Sequence, residues 1–266
     1  MTCRRWSLGR PLAGACAALL LMVASATAAG AQNNNTASSS VQSQPSLDFM
    51  LGRPRAAVGF SGNWMLASAG SDLYDFVTEQ LTIEKSSFNA PAFGANASAS
   101  LSSRLDVVAN FETSKSSSDS EYRKFVDNNL LPIQQTTSLR QNEISGSLKY
   151  SLLPKGRSVS RFAWIPRGVT PYVGAGAGVV YYDFQQSGDF VNFQNNHVFT
   201  DSFRSTGWAP SAHGFGGVDV QIYRHLYMSI EGRYVWASAD LKDKFVGFDP
   251  IDLAGVRFGG GIHVVF

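Results

Sequence analysis

Apolar and polar residues alternate along most of this chain with a period of two, which is the pattern of a β-strand with two chemically different faces. The last segment, 254–266, is the clearest case. Phe258, Ile262, Val264 and Phe266 lie on one wholly apolar face, and Arg257 lies on the other. The same split recurs in seven earlier segments, which predict strands at 55–65, 88–101, 105–113, 140–150, 170–184, 214–223 and 226–237.

Eight such strands predict an all-β fold, an eight-stranded antiparallel up-and-down transmembrane β-barrel. Each segment has about the 9–11 residues that a tilted strand needs to cross a bilayer. The connections also sort by length, as short periplasmic turns and long external loops do. The tight turns are 102–104 and 224–225, and the long polar connections are 66–87, 114–138, 185–207 and 240–250. The basic 151–169 connection is an exception, because it is long and lies on the short-turn side.

The first 31 residues have a different character. Arg4, Arg5 and Arg10 precede an apolar stretch at 12–23, which is too short to span a bilayer, and small residues then lead to the Ala-Gly-Ala sequence at 29–31. This order is typical of a secretory signal peptide with a cleavage site. We expect residues 1–31 to be a signal peptide that directs export to the outer membrane of a Gram-negative-type bacterium.

The segment after residue 31 is rich in Asn, Ser and Gln and has too few apolar residues to offset the entropy of an ordered chain. We predict a disordered periplasmic N-terminal tail over 32–53 and a barrel domain over 54–266. Without the first 31 residues, 19 basic and 20 acidic side chains remain, and this balance argues against a nucleic-acid partner. Cys3 and Cys16 both precede residue 32, so the exported part forms no disulfide.

Aromatic residues fall where membrane interfaces are expected, since Tyr and Trp favour the headgroup level. Trp64, Trp208 and Trp236 lie at the predicted external ends of strands, and Tyr150, Tyr172, Tyr223 and Phe266 lie at the periplasmic ends. A soluble β-sandwich or a lipocalin-like barrel would also give alternating strands, with the apolar face turned inward, and periodicity alone does not separate the two. The aromatic placement, the terminal Phe and the loop asymmetry favour the membrane barrel.

Two segments resemble a known family. GVRFGGGIHVVF at 255–266 looks like the C-terminal signature that the outer-membrane assembly machinery recognises, and TPYVGAGAGVVYYDF at 170–184 resembles the strand motif of small OmpA-type β-barrel proteins. The resemblance covers about residues 54–266 as an architecture. It implies an outer-membrane β-barrel domain and the assembly machinery as a partner. The apolar face of the last strand supplies the expected assembly signal, Phe258, Ile262, Val264 and Phe266.

The faces turned away from the lipid carry charges of both signs in nearly equal number. Eight strands enclose a space that side chains just fill, and a charge taken out of water costs several kcal/mol unless it is paired. We therefore predict a charge network that plugs the lumen, formed by Arg55, Asp106, Glu112, Glu143, Lys149, Asp219, Glu231, Arg233 and Arg257. Asp219, Glu231, Arg233 and Arg257 lie on consecutive strands and are expected to meet.

Ser211 and His213 form the most suggestive catalytic fragment, because both face the predicted lumen. A nucleophile needs a base and a third orienting group, however, and Ser is also an ordinary filler of a small barrel. The histidines lack the spacing of metal ligands, and GAGAGV at 174–179 is not followed by the helix that a phosphate loop needs. We predict no enzyme activity, no cofactor and no metal.

We expect a structural or surface-interaction role for a monomeric barrel in contact with outer-membrane lipids, including lipopolysaccharide. A passive conduit for small or hydrophobic molecules and a lipid-A-modifying enzyme are the alternatives. The basic 151–169 connection either engages anionic headgroups, at about 1 kcal/mol per cation, or is a turn kept soluble by its charge.

Overall fold

The computed structural model describes residues 50–127, 130–160, 163–192, 194, 197–242, 245 and 247–266. The predicted signal peptide and residues 32–49 of the predicted tail lie outside this range. Within it, no helix is long and apolar enough to span a bilayer. The strands are β1 (Met50–Leu51), β2 (Ala56–Ala67), β3 (Ala90–Ser100), β4 (Leu105–Val126), β5 (Pro132–Ser151), β6 (Gly156–Ser160), β7 (Ala163–Pro166), β8 (Val169–Asn192), β9 (His197–Gln221), β10 (Leu226–Ala239), β11 (Ile251–Asp252) and β12 (Gly255–Val265).

Eight of these strands form a closed antiparallel ring in the order β2-β3-β4-β5-β8-β9-β10-β12, and β12 pairs with β2 to complete it. The predicted eight-stranded antiparallel barrel is thus confirmed, because every predicted strand segment contributes one member of the ring. Closure leaves the ring without an unpaired edge, so the backbone donors and acceptors of each strand are satisfied by its neighbours.

In the periplasmic half of the ring the outer surface is apolar and the inner surface is polar. On β2, Phe60 is 76 % exposed on the outside, whereas its neighbours Ser61 and Asn63 line the lumen. Phe93 and Ile230 are likewise exposed on β3 and β10. A water-soluble barrel would have the opposite arrangement, so the ring has the surface of a membrane-spanning barrel.

The predicted aromatic belts lie on this outer surface, with one exception. Trp64, Trp208, Trp236, Tyr150, Tyr223 and Phe266 are all exposed. Tyr172 is buried instead, so its placement in the periplasmic belt was wrong. Tyr172 has the same parity along β8 as Gly174 and Gly176, and the period-two pattern therefore turns its side chain into the lumen.

Two of the predicted external loops, 114–138 and 185–207, are mostly strand. β4 and β5 stay paired as far as Glu121 and Gln134, and β8 and β9 as far as Asn192 and His197. The prediction of loops was wrong because strands were identified by an apolar outward face, which these paired segments lack. Beyond the bilayer the outward positions contact water and become polar, although the backbone pairing continues.

The periplasmic end carries a small separate sheet of three strands in the order β1-β7-β6. Met50 pairs with Trp164, and Leu51 pairs with Ala163. The long 151–169 connection therefore forms a hairpin that holds the start of the described chain. Met50 and Leu51 belong to this sheet, so the predicted disordered tail does not extend over them.

The external connection 66–87 contains a helix that the sequence analysis missed, α1 (Asp72–Gln80). Asp72 and Asp75 occupy its first turn, where carboxylates interact favourably with the positive end of the helix dipole. Leu73 and Val77, four residues apart, are both buried. This spacing gives the helix one apolar face, which packs at the external mouth of the barrel.

Candidate functional site in the barrel lumen

The periplasmic half of the lumen contains a polar cavity of about 130 Å³. Its wall includes Asn63, Asn96, Glu112, Lys149, Tyr172 and His263. Each water occupies about 30 Å³, so the cavity has room for about four. The inward side chains of β2, β3, β4 and β5 around it are small or polar, which leaves this space open between them.

Arg257 of β12 lies at the centre of the charged groups beside this cavity. Its Nη1 atom is 2.7 Å from Glu112 Oε1 and also donates to Glu143 Oε2. The three side chains are 1–4 % exposed. Asn63 Nδ2 donates to the second oxygen of Glu112 at 2.8 Å. One guanidinium therefore bridges two carboxylates that water barely reaches.

The register of the sheet explains why this cation is needed. Glu112 and Glu143 are directly opposite each other on β4 and β5, and like charges in such a pair repel. β12 is separated from β4 by β2 and β3 in the ring. The contact from Arg257 thus crosses the lumen and ties distant parts of the wall together.

A second group of ion pairs lies nearer to the periplasm. Lys149 Nζ is 2.7 Å from Asp219 Oδ2, and Lys155 pairs with Asp106. Ser100 Oγ also donates to Asp106, at 2.7 Å. Lys155 comes from the 151–169 connection and not from a barrel strand. Burial lowers the pKa of Lys155, and the neighbouring Asp106 opposes that shift. The periplasmic hairpin is therefore fastened to the lumen wall by a partly buried charge.

A third group is centred on Glu231 of β10. Arg233, two residues along the same strand, approaches it with Nη2 at 2.9 Å from Oε1. The hydroxyl of Tyr172 donates to Oε2 at 2.9 Å. The Arg233 guanidinium also lies over the Phe215 ring, 5.2 Å from its centroid. The buried Tyr172 thus supplies a hydrogen bond to the network.

Eight of the nine residues predicted for the lumen network make these contacts. Arg55 does not, because it is exposed before β2 begins. The four residues expected to meet divide among all three groups, with only Glu231 and Arg233 paired directly. Lys155 and Asn63 also belong to the network, although the sequence pattern did not predict them. Lys155 lies outside any strand, so no alternation pattern could have indicated that it points inward.

The external half of the lumen is closed by an apolar cluster that was not predicted from the sequence. α1 contributes Leu73, Tyr74 and Val77 to it. The wall of the barrel contributes Leu139, Val180, Tyr182, Phe184 and Val235, and the β10–β12 connection contributes Phe245, Ile251 and Leu253. The Tyr74 hydroxyl donates to the carbonyl of Asp252 at 3.0 Å, and burial raises the pKa of Tyr74. Helix, loop and wall are thus one packed unit.

Three buried side chains have the order of a nucleophile, a base and an orienting acid. Ser147 Oγ is 2.7 Å from His213 Nε2, and His213 Nδ1 is 3.6 Å from Glu143 Oε1. The second distance is too long for a hydrogen bond, and Glu143 is already engaged by Arg257. Ser211, the serine singled out from the sequence, has no hydrogen-bond partner for its hydroxyl. The described contacts favour a structural role for these groups.

No protein-family model and no curated protein matches this chain. Solved structures of small outer-membrane barrels are similar to it. Neisserial surface protein A is 13 % identical, covering 79 % of this chain and 96 % of its own, with a TM-score of 0.45. OprG from Pseudomonas aeruginosa is 11 % identical over 83 % and 99 %, with a TM-score of 0.46. Ail of Yersinia pestis is 10 % identical over 80 % and 99 %, with a TM-score of 0.41.

Proposed function

We propose that this eight-stranded barrel of the small OmpA-type architecture is a closed structural or surface-contact protein of the outer membrane. The observation that carries the proposal is that two different obstructions fill the lumen in series. An apolar cluster around α1 occupies the external half, and the charged groups around Arg257 occupy the periplasmic half. A solute would have to displace both, so we assign no steady conduction to the barrel.

The external strand extensions support a role in surface contact. β8 and β9 remain paired for 11 residues beyond Tyr181, which lies beside the outward Trp208 at 5.2 Å. At about 3.3 Å per residue, this hairpin extends roughly 35 Å along the strand beyond the aromatic pair. A paired ribbon presents its outward side chains in a defined register. We propose lipopolysaccharide and other outer-membrane lipids as its neighbours and a monomer as its working state.

Export and assembly belong to the same proposal. The exposed Phe258, Ile262 and Phe266 and the partly exposed Val264 lie on the outer face of the last strand, where an assembly factor can contact them. We propose that a signal peptide at 1–31 directs the chain to the periplasm and that this strand is its assembly signal. Heat-dependent gel mobility of an outer-membrane fraction would be the expected result, and recovery in the soluble periplasm would contradict the proposal.

A passive conduit remains the second candidate, because the cavity beside Glu112 and Lys149 is polar and has room for water. Conductance of the purified chain in planar bilayers separates the two functions. We expect no steady current from the wild type, with a general porin as the positive control. A stable open channel in the wild type would favour the conduit.

The two obstructions can also be loosened separately. Leu73→Ala with Val77→Ala weakens the apolar cluster, and Arg257→Ala weakens the charged group. Each change alone should leave the barrel without steady conductance, and only the combination should conduct. Heat-dependent gel mobility should show that each variant is still folded. Expression should also leave the mass of lipid A unchanged, and a change in that mass would favour the enzyme alternative.

A further inference from the structure

The periplasmic end of the barrel carries a second surface with a distinct composition. We propose that it binds the anionic phospholipid headgroups of the inner leaflet of the outer membrane. We call it the periplasmic collar and define it by five exposed arginines and four exposed leucines: Arg53, Arg55, Arg104, Arg157 and Arg167, with Leu51, Leu101, Leu152 and Leu153.

The positive charge of the periplasmic collar is not balanced by nearby acidic side chains. In the described residues at this end of the barrel, the two acidic side chains are Asp106 and Asp219, which are buried in the lumen and paired with lysines. The terminal carboxylate of Phe266, beside Arg55, adds one negative charge against the five arginines. All other described acidic side chains either line the lumen or lie at the external end. An anionic surface would therefore meet a local excess of positive charge.

Several of the guanidinium groups are oriented by neutral oxygens. Arg53 donates to the carbonyl of Ser102, and Arg167 Nε donates to the carbonyl of Pro154 at 3.2 Å. Arg104 Nη1 is 3.5 Å from the Tyr150 hydroxyl. These contacts hold the side chains in place without neutralising them. A guanidinium presents five donors in a planar fork, so donors remain for a phosphate oxygen.

The position of the periplasmic collar favours a lipid surface as its partner. Arg104 contacts Tyr150, which belongs to the exposed periplasmic aromatic belt. Arg104 therefore lies at headgroup height, as does Arg53, which donates to the carbonyl of Ser102 in the same turn. Leu101 is 63 % exposed in the turn beside Arg104. Exposed leucines among cations are typical of segments that lie in a membrane interface, and a purely aqueous partner would not favour them.

The inference can be tested with the full chain purified in a neutral detergent. The protein is titrated with phosphatidylglycerol or with phosphatidylcholine, and native mass spectrometry measures how much lipid is bound. The test variant is Arg157→Gln with Arg167→Gln. The matched control is Lys124→Gln with Arg140→Gln, which removes two exposed cations from the external strand extensions. Heat-dependent gel mobility checks that each variant is folded.

We expect the wild type to bind phosphatidylglycerol more tightly than phosphatidylcholine. A cation near an anionic surface contributes about 1 kcal/mol, so each lost arginine should weaken phosphatidylglycerol binding about fivefold. The external variant should retain the wild-type preference. Equal affinity for both lipids, or the same loss in both variants, would overturn the inference. If the wild type showed no lipid preference but sedimented with peptidoglycan in a manner that depends on the arginines, the inference would be overturned in favour of a cell-wall partner. Lipid binding and the conductance of the barrel are measured independently, so failure of this inference would not decide the proposed function.

Discussion

Replacement of Arg257 by Met removes the cation at the centre of the lumen and leaves most of the volume of its side chain in place. Glu112 and Glu143 would then be opposite each other on β4 and β5 without the cation that contacts both of them. Both carboxylates are at least 95 % buried, so neither can be solvated without rearrangement of the wall. The variant therefore combines the repulsion of two like charges with the desolvation of both.

The expected cost follows from these contacts. Removing one partner of a buried ion pair destabilises a protein by about 3–5 kcal/mol, because the remaining charge is left uncompensated. Arg257 serves two carboxylates, so we place Arg257→Met at the upper end of that range. Adding Glu112→Gln and Glu143→Gln removes the charges while keeping the shapes. This triple variant should be within about 1–2 kcal/mol of the wild type, because replacing a whole buried charge group by neutral side chains is often tolerated.

The assay is reversible urea unfolding of the chain in lipid vesicles, followed by the gel shift between folded and unfolded barrel. Arg140→Met, on the exposed outer face of β5, is the control for the substitution itself and should change the free energy of unfolding by less than about 0.5 kcal/mol. If Arg257→Met were as stable as this control, or if the triple variant were as unstable as Arg257→Met alone, the charges would not hold the lumen together.

Three further predictions concern other parts of the chain. Gly176→Ala should destabilise the barrel by about 1–3 kcal/mol, because its methyl group would lie 2.6 Å from His213 Nε2 and against the backbone of β5, whereas Gly62→Ala, with open space around it, should cost nothing in the same urea assay. Arg204 lowers the pKa of Asp183 on the external ribbon, so this pair should stabilise the ribbon above the ordinary Asp pKa of 3.8 and lose that effect as the pH falls through the lowered value. Hydrogen exchange of β8 should show this acid-induced opening in the wild type. The same acid-induced opening in Asp183→Asn would show that the Asp183–Arg204 pair is not its cause. Deletion of Phe266 should lower the outer-membrane level measured by immunoblotting, while Val265→Thr should have little effect, and equal losses would show that the exposed terminal ring has no special role.

The barrel itself was predictable from the sequence because a lipid environment imposes a simple local rule. Each strand that crosses the bilayer must be apolar on one face, and the other face must tolerate the crowded lumen. Phe60, Phe93 and Ile230 follow this rule, so strand positions and facing could be assigned without knowledge of any contact. The inward orientation of Tyr172 was also implied by its parity with Gly174, although its ring chemistry suggested the lipid interface.

The parts that only the tertiary structure decided are those in which no such local rule applies. The strand extensions beyond the bilayer have no apolar outward face, so only the backbone pairing of β8 with β9 reveals them. The cluster around α1 forms because the closed ring offers Leu73 and Val77 an apolar mouth to fill.

The lumen partners depend on closure in the same way. Arg257 and Glu143 are 114 residues apart in sequence and meet only across the ring. Lys155 reaches Asp106 because the periplasmic hairpin folds beneath the barrel. The sequence by itself determined most of the strand residues that face the lumen, with Arg55 the exception among the charged ones, and that their charges nearly balance. Which charge meets which depends on the stagger of the strands, and that is a property of the closed ring.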